Sequence, residues 1–270
     1  MNLDKAVSVT ILLIIPAFNF SSAQDNYYKP FNLDFTREAI ILGTGTAAAI
    51  TSLLILGSIE PLTPEEINLL NPSDVNSFDR NAIGPFKEDH AGDVLLYTAY
   101  LLPLSFLAFE KTNRDFLELA LIYGEVILIQ GSLNGIVKGT VLRTRPFVYD
   151  PETPMSEKTT TNARISFFSG HTSMTTALSF FTAKVFTEYI EDNTAKILIW
   201  TGAALLPAAT ALTRVNAHWH FPSDVMVGYA IGALVGYFIP ELHKSKINDK
   251  VLIMPSYNIN RPAVSVRVKF

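Results

Sequence analysis

Residues 214–240 read RVNAHWHFPSDVMVGYAIGALVGYFIP. The first eleven of these residues hold Arg214, His220 and Asp224, and an apolar stretch of helical length, 224–240, follows directly. His220 and Asp224 are four residues apart, a distance at which a carboxylate can hold one imidazole nitrogen and present the other as a nucleophile. His218 competes for this role, but its spacing from Arg214 and Asp224 does not fit. The stretch therefore predicts a reactive histidine beside an apolar helix.

Apolar stretches of similar length recur through the chain. Five precede the quoted one, at 39–57, 93–109, 116–137, 172–190 and 195–213. Most approach the roughly 20 residues that a helix needs to cross a bilayer. The 270 residues are 49% hydrophobic and only 17% charged, with a mean hydropathy of +0.26. The composition predicts an all-α, membrane-embedded bundle of about six helices.

The two ends of the chain differ from this helical part. Residues 1–23 have the pattern of a secretory signal peptide, with Lys5 before an apolar run and cleavage expected after Ala23. The alternative is an uncleaved anchor helix, for which the apolar run is short. In the tail, 246–270, valines alternate with polar residues and predict a short C-terminal β-hairpin. Residues 24–245 would then form the helical domain.

Composition also limits the chemistry. The chain has no cysteine, which excludes disulfides, thiolate metal sites and cysteine nucleophiles. The net charge of −4 and the isoelectric point near 5.7 give no sign of a nucleic-acid surface. Catalysis would therefore depend on His, Arg, Lys, Asp, Ser or Thr.

A second polar segment is Lys138-x6-Arg145-Pro146. Seven residues are two helical turns, so the two cations are predicted to point the same way from one helix that Pro146 ends. Together they would clasp a phosphate. The alternative is that Lys138, Arg143 and Arg145 are ordinary interfacial anchors.

A third segment, Ser169-Gly170-His171, precedes a helix predicted to begin near Thr172 and Ser173. Free N–H groups at such a helix start form an anion site that needs no metal, and Gly170 permits close approach. His171 would lie beside the anion and hand a proton to a leaving oxygen. The alternative is a simple turn and helix cap.

In this order, the three segments resemble the tripartite signature of the type 2 phosphatidic acid phosphatase and vanadium haloperoxidase superfamily. The resemblance covers roughly residues 93–240 and favours the membrane lipid phosphatase branch. It departs at Phe168, where the family usually has proline, and at Thr213, where it usually has serine.

The resemblance implies an all-helical core and a role for each residue of the motifs. It implies that His220 forms a phosphohistidine, that Asp224 orients it, and that His171 protonates the leaving group. The residues implied to bind phosphate are Lys138, Arg145, Ser169, Gly170 and Arg214. No metal and no cofactor would be required.

The function expected from these residues is a metal-independent phosphatase for lipid phosphates or diphosphates. Phosphatidic acid, phosphatidylglycerol phosphate, undecaprenyl diphosphate and lipid A are the candidate substrates that the resemblance implies. Three alternatives stay open: a soluble secreted acid phosphatase, a vanadate-dependent haloperoxidase, and a membrane protein that binds lipid without catalysis. The expected partners are the lipid substrate and the membrane, and no nucleic acid.

Charge between the apolar stretches predicts the orientation. The loop 60–93 is acidic, whereas lysines and arginines occur at 110–115, at 184–196 and after residue 243. The positive-inside rule places the basic connections in the cytoplasm and the three motifs on the outer face of a bacterial-type cell envelope. A cleaved signal would leave the new N-terminus outside the cell, and with six crossings Lys138 would then lie on the cytoplasmic face. Five spans satisfy both, if 39–57 packs against the bundle without crossing.

Overall fold

The computed structural model describes residues 29–245 and, as backbone, the strands at 251–258 and 261–268. Ten α-helices lie in this part of the chain. They are α1 Phe35–Gly57, α2 Pro64–Asn68, α3 Ser77–Arg80, α4 His90–Leu101, α5 Glu110–Arg114, α6 Phe116–Val141, α7 Met155–Lys158, α8 Gly170–Tyr189, α9 Asn193–Asn216 and α10 Pro222–Leu242. Short 3₁₀ turns occur at Pro72–Asp74, Leu102–Ala108, Pro146–Tyr149 and Thr161–Arg164.

The predicted count of about six helices is therefore wrong. The six apolar stretches correspond to the long helices α1, α4, α6, α8, α9 and α10, but the polar loops contain four more. Local caps explain part of the difference: Thr63 and Glu66 form a capping box on α2, and Asn76 caps α3. Short capped turns carry no apolar periodicity, so a search for apolar stretches misses them.

No β-strand occurs between Lys29 and Ser245, so the described body is entirely helical. The strands β1, Val251–Asn258, and β2, Arg261–Val268, follow it and pair antiparallel with Val251 opposite Val268. The expected signal peptide at 1–23 lies outside the described residues.

Within residues 29–245, five helical segments are long and apolar enough to cross a membrane: Phe35–Gly57, His90–Ala108, Phe116–Tyr149, Asn193–Asn216 and Pro222–Leu242. The stretch 39–57, which was expected to pack against the bundle without crossing, is among these five segments. Leu53 and Leu54 on this helix are 69% and 70% exposed, as expected for a surface that faces lipid. The predicted apolar stretch 172–190 is not among these five segments, because α8 is rich in buried Thr and Ser.

Helix α8 lies at the centre and packs directly on α10. Gly228, Gly232 and Gly236 recur every fourth residue on the face of α10 that meets α8. A Cβ at Gly232 would lie 2.2 Å from the Ser173 carbonyl oxygen. Since glycine has no side chain, the two backbones come into contact, which is the close packing that small residues allow in membrane helices.

The apolar core lies where α6, α8 and the turn 102–108 meet. Its members are buried aliphatic and aromatic side chains, among them Phe106, Leu119, Ile122, Leu178 and Phe181. Helix α1 packs along α6, where Cβ atoms at Gly135 and Gly139 would lie 1.9 Å from Ser52 Oγ and 2.2 Å from Ile55 Cγ2. This core fixes the relative positions of the helix ends that carry the polar residues.

Candidate active site

One end of the bundle contains a cavity of about 400 Å³. The starts of α4 and α8, the last turns of α6 and α9, and the loop before α10 surround it. Its lining includes residues from all three motifs. The lining residues are Glu88, Asp89, His90, Asp93, Lys138, Arg145, Asn162, His171, Arg214, Trp219 and His220.

Arg145 reaches the cavity from an extended segment. Helix α6 ends at Val141, and Leu142 follows in the left-handed conformation with φ of 50°. The expectation that Lys138 and Arg145 point from two turns of one helix is therefore wrong. The Arg145 guanidinium is buried and fixed: Nε donates to the Asn162 carbonyl oxygen at 2.7 Å, and NH1 to the Trp219 carbonyl oxygen at 2.7 Å.

Lys138 lies on the face of α6 that meets the start of α8. Asn134, one turn earlier on α6, donates to the Phe168 carbonyl oxygen at 2.9 Å. A Cβ at Gly170 would lie 2.9 Å from Asn134 Oδ1 and 3.5 Å from Lys138 Nζ. Gly170 therefore lets the start of α8 approach both side chains closely.

Helix α8 begins earlier than predicted. Its N-cap is Ser169 rather than Thr172 or Ser173, and the Ser169 Oγ accepts from the Thr172 amide. Ser169 is fully buried and does not line the cavity. In the first turn of a helix the N–H groups have no intrahelical acceptor, which leaves the amides of Gly170 and His171 for other partners.

His171 is paired with a carboxylate that sequence analysis did not single out. Its Nε2 lies 2.8 Å from Asp93 Oδ1 at the start of α4. Burial and the charge of Arg214 lower the pKa of His171 to about 4, although Asp93 acts in the opposite direction. A second carboxylate, Asp89, lies 3.2 Å from Arg214 NH1. The cationic groups of the cavity thus face an acidic wall from α4.

His220 is buried, and its two nitrogens face different surroundings. Nε2 lies 3.1 Å from Arg145 NH1, on the side of the cavity. Nδ1 lies 3.6 Å from Asp224 Oδ2 and 3.4 Å from Ser166 Oγ, which itself donates to Asp224 at 2.5 Å. Burial, followed by the charges of Arg145, Lys138 and Arg214, holds the pKa of His220 well below its usual value. The ring is therefore neutral near pH 7.

Behind His220, Arg143 connects two buried carboxylates. It donates to Asp224 Oδ1 and, at 2.8 Å, to Asp79 Oδ2. Burial raises the pKa of Asp79, but hydrogen bonds from Ser223, Arg143 and Asn76 outweigh this and lower it to about 2. Arg143 is thus part of an internal network instead of the interfacial anchor considered above.

His218 lies outside the cavity. Its Nδ1 is 2.9 Å from the Ala82 carbonyl oxygen, and its backbone is left-handed with φ of 61°.

The residues that sequence analysis missed are Asp79, Asp89, Asp93, Arg143 and Ser166. Only Asp89 and Asp93 carried a local signal, because a four-residue spacing places them on one face of a helix. The others are distant in sequence from their partners: Arg143 is 64 residues from Asp79, and Ser166 is 58 from Asp224.

Comparison with known proteins agrees with the motif resemblance. Residues 119–247 match the model of the PAP2 superfamily and include every residue of the three motifs. A PA-phosphatase related-family protein of Dictyostelium discoideum is 27% identical over 177 residues, which cover 62% of this chain and 65% of that protein.

Among solved structures, a transmembrane PAP2 type phosphatidylglycerolphosphate phosphatase from Bacillus subtilis aligns with 77% of this chain and 92% of its own. The TM-score is 0.43 and the identity 19%. The part of the chain that is similar to the PAP2 superfamily, residues 119–247, thus holds all three of the motifs whose residues line the cavity.

Proposed function

We propose that the chain is a membrane phosphatase that hydrolyses lipid phosphate or diphosphate monoesters through a phosphohistidine at His220. The coarser part, a membrane-associated phosphoric ester hydrolase, agrees with the superfamily. One observation carries the finer part: the Nε2 atom of a neutral, buried His220 lies at a cavity that Lys138, Arg145 and Arg214 make cationic.

The phosphate of the substrate would bind between these three cations, as a dianion requires. The amides of Gly170 and His171 at the start of α8 would add hydrogen bonds of the kind that helix N-termini offer to anions. Ser169, buried behind them, would hold this first turn in place through its cap on Thr172.

In the first step, the Nε2 lone pair of His220 attacks phosphorus and the ester P–O bond breaks. The leaving oxygen takes the proton of His171 Nδ1, while Nε2 keeps its hydrogen bond to Asp93. A bound phosphate dianion would keep His171 charged in spite of the low pKa in the free protein. In the second step, neutral His171 removes a proton from water. The resulting hydroxide attacks phosphorus, the P–N bond breaks and inorganic phosphate leaves.

An apolar groove supports a lipid as the substrate. A depression of about 600 Å³ lies between α9 and α10, lined by Ala211, Val215, Pro222 and Met226 among others. Val215 and Pro222 flank the loop that carries His220. An acyl or isoprenoid chain in this groove would stay in the membrane while its phosphate entered the cavity.

The basic connections support an orientation with the cavity outside the cell. Lys184 binds Glu188 and Glu241, and Lys244 binds Glu188, at the end of the bundle opposite the cavity. Lys111 and Arg114 lie in the α5 connection between the turn 102–108 and α6. By the positive-inside rule this end faces the cytoplasm.

The test is phosphate release by detergent-purified protein from phosphatidic acid, phosphatidylglycerol phosphate, undecaprenyl diphosphate and a soluble aryl phosphate, with chelator present. We expect release from lipids to exceed release from the aryl phosphate, and His220→Ala to lower it by roughly 10³-fold or more. His218→Asn is the matched control, because asparagine tolerates a positive φ and residue 218 lies outside the cavity.

Acid-labile, alkali-stable phosphate on wild-type protein, absent from His220→Ala, would identify the intermediate. Equal phosphate release by wild-type protein and His220→Ala would contradict the mechanism. Faster release from the aryl phosphate than from the lipids would favour a soluble-type phosphatase. Halide oxidation that appears only with added vanadate would indicate a haloperoxidase instead.

A further inference from the structure

A second group of convergent polar side chains lies far from the cavity. Glu38 at the start of α1, Glu125 on α6 and His243 at the end of α10 each direct a ligand atom to one point. These atoms all lie within 4.8 Å of one another. His243 Nε2 is 3.1 Å from Glu38 Oε1 and 3.0 Å from Glu125 Oε2. Glu125 and His243 have no exposed surface, and Glu38 is 7% exposed.

The group lacks the hydrogen bonds that its burial calls for. Neither carboxylate oxygen of Glu125 has a hydrogen-bond partner among the described residues, and neither does His243 Nε2. The short contacts between them lack hydrogen-bond alignment, so the atoms converge without pointing at one another. A buried carboxylate without hydrogen bonds is strongly unfavourable. The arrangement therefore calls for a positively charged species at the point of convergence.

The other nitrogen of His243 fixes the tautomer. Nδ1 lies 2.8 Å from the Ile239 carbonyl oxygen, which can only accept, so Nδ1 carries a hydrogen. Nε2 of the neutral ring then presents a lone pair between two carboxylates. Histidines that bind metals show this pattern, with one nitrogen on the metal and the other donating to a carbonyl.

Glu38 is oriented by neighbours outside the group. Its Oε1 accepts from Arg37 NH2 at 2.8 Å, and its Oε2 accepts from the Asp34 amide at 2.8 Å. A proton on His243 Nε2 could be donated to only one of the two carboxylates. A divalent cation would be bound by all three ligand atoms at once, including the otherwise unsatisfied Glu125.

We propose that Glu38, Glu125 and His243 bind a divalent first-row transition metal such as Zn²⁺. Two carboxylates with an imidazole suit this class better than Mg²⁺ or Ca²⁺, which prefer all-oxygen sites. Three protein ligands leave a coordination position for water. The metal would lie apart from the catalytic cavity, because Glu125 and Lys138 are thirteen residues apart on α6 and about 20 Å of helix separates the two sites.

The metal would hold α1 to the rest of the bundle. Backbone contacts already join these segments, since the Asn32 amide donates to the His243 carbonyl oxygen at 2.9 Å and the Ser245 amide to Pro30 at 2.8 Å. A cation shared by α1, α6 and α10 would stabilise the folded state by binding it alone.

The experiment uses the full chain in detergent, treated with EDTA and then titrated with Zn²⁺. We expect one equivalent per chain by elemental analysis. At a hundredfold excess of free Zn²⁺ over the Kd, the melting temperature should rise by roughly 5–10 °C. Co²⁺ in place of Zn²⁺ should give d–d absorption bands that Zn²⁺ displaces.

Glu125→Gln and His243→Ala should lose the bound equivalent and the thermal shift. Glu38→Gln preserves side-chain shape and serves if those two variants fail to fold. The matched control is His90→Ala, which removes a histidine that is exposed beside Glu88 at the other site. Wild-type protein that binds no stoichiometric metal, or whose metal is lost in His90→Ala and retained in Glu38→Gln, would overturn the proposal.

Discussion

Nε2 of His220 lies 3.1 Å from NH1 of Arg145. A guanidinium stays protonated and can only donate, so the imidazole nitrogen is the acceptor and carries a lone pair. The hydrogen of the neutral ring then resides on Nδ1, which faces Ser166 and Asp224. The phosphate-binding arginine and the carboxylate behind the ring thus select the same tautomer, the one that a nucleophilic histidine needs.

Ser166→Ala should lower kcat by roughly tenfold with little change in KM. Ser166 donates to Asp224 and lies 3.4 Å from His220 Nδ1, so its loss loosens the ring without removing a phosphate ligand. Steady-state kinetics with phosphatidic acid would measure this, and Ser166→Thr should restore part of the rate. A change confined to KM would contradict a positioning role.

Asp93→Asn should shift the basic limb of the kcat profile to lower pH by roughly one unit. The Asp93 carboxylate favours the charged form of His171, so its neutralisation lowers the pKa of the proton donor further. Less of the donor is then protonated at any given pH, and activity falls earlier as pH rises. Glu88→Gln, which alters an exposed carboxylate of the same wall, is the control. A basic limb at the same pH in Asp93→Asn and wild type would show that Asp93 does not control the pKa of His171.

Asp79→Asn should destabilise the protein near pH 7 by about 2 kcal/mol and much less near pH 2. The pKa of Asp79 is lowered to about 2 from 3.8 in the folded protein. Its stabilisation is therefore complete above pH 4 and is lost as pH falls through 2. Thermal melting of both proteins across this range measures the difference. A constant difference at all pH values would show that the charge is unimportant.

Ala211→Phe should raise KM for a lipid phosphate several-fold and leave a soluble aryl phosphate unaffected. The added ring would fill part of the groove between α9 and α10 but would not enter the cavity. Leu205→Phe is the control, because Leu205 is 63% exposed on α9 and does not line the groove. Equal effects on both substrates would argue against a chain-binding groove.

Gly232→Ala should destabilise the bundle by about 1–3 kcal/mol. The new methyl group would lie 2.2 Å from the Ser173 carbonyl oxygen and would push α10 away from α8. Gly202→Ala is the matched control, because nothing lies within 4 Å of a Cβ there and alanine favours a helix. The two variants should therefore change the melting temperature in opposite directions.

The long helices were largely predictable, because the mean hydropathy of a stretch depends only on residues that are consecutive in the sequence. The six apolar stretches correspond to the long helices, but the four short helices depend on individual caps. The end of α6 was placed too late because Leu142 adopts a left-handed conformation that its residue type does not signal.

The sequence by itself determined the set of chemical groups. Its motifs supplied three cations, two histidines and a carboxylate, all within the residues that match the PAP2 superfamily model. Only the tertiary structure decided which of these groups meet and which partners control them. His171 pairs with Asp93, 78 residues away, and Arg143 with Asp224, 81 residues away. Such contacts depend on how closely α4, α8 and α10 pack, and that packing is set by the whole core.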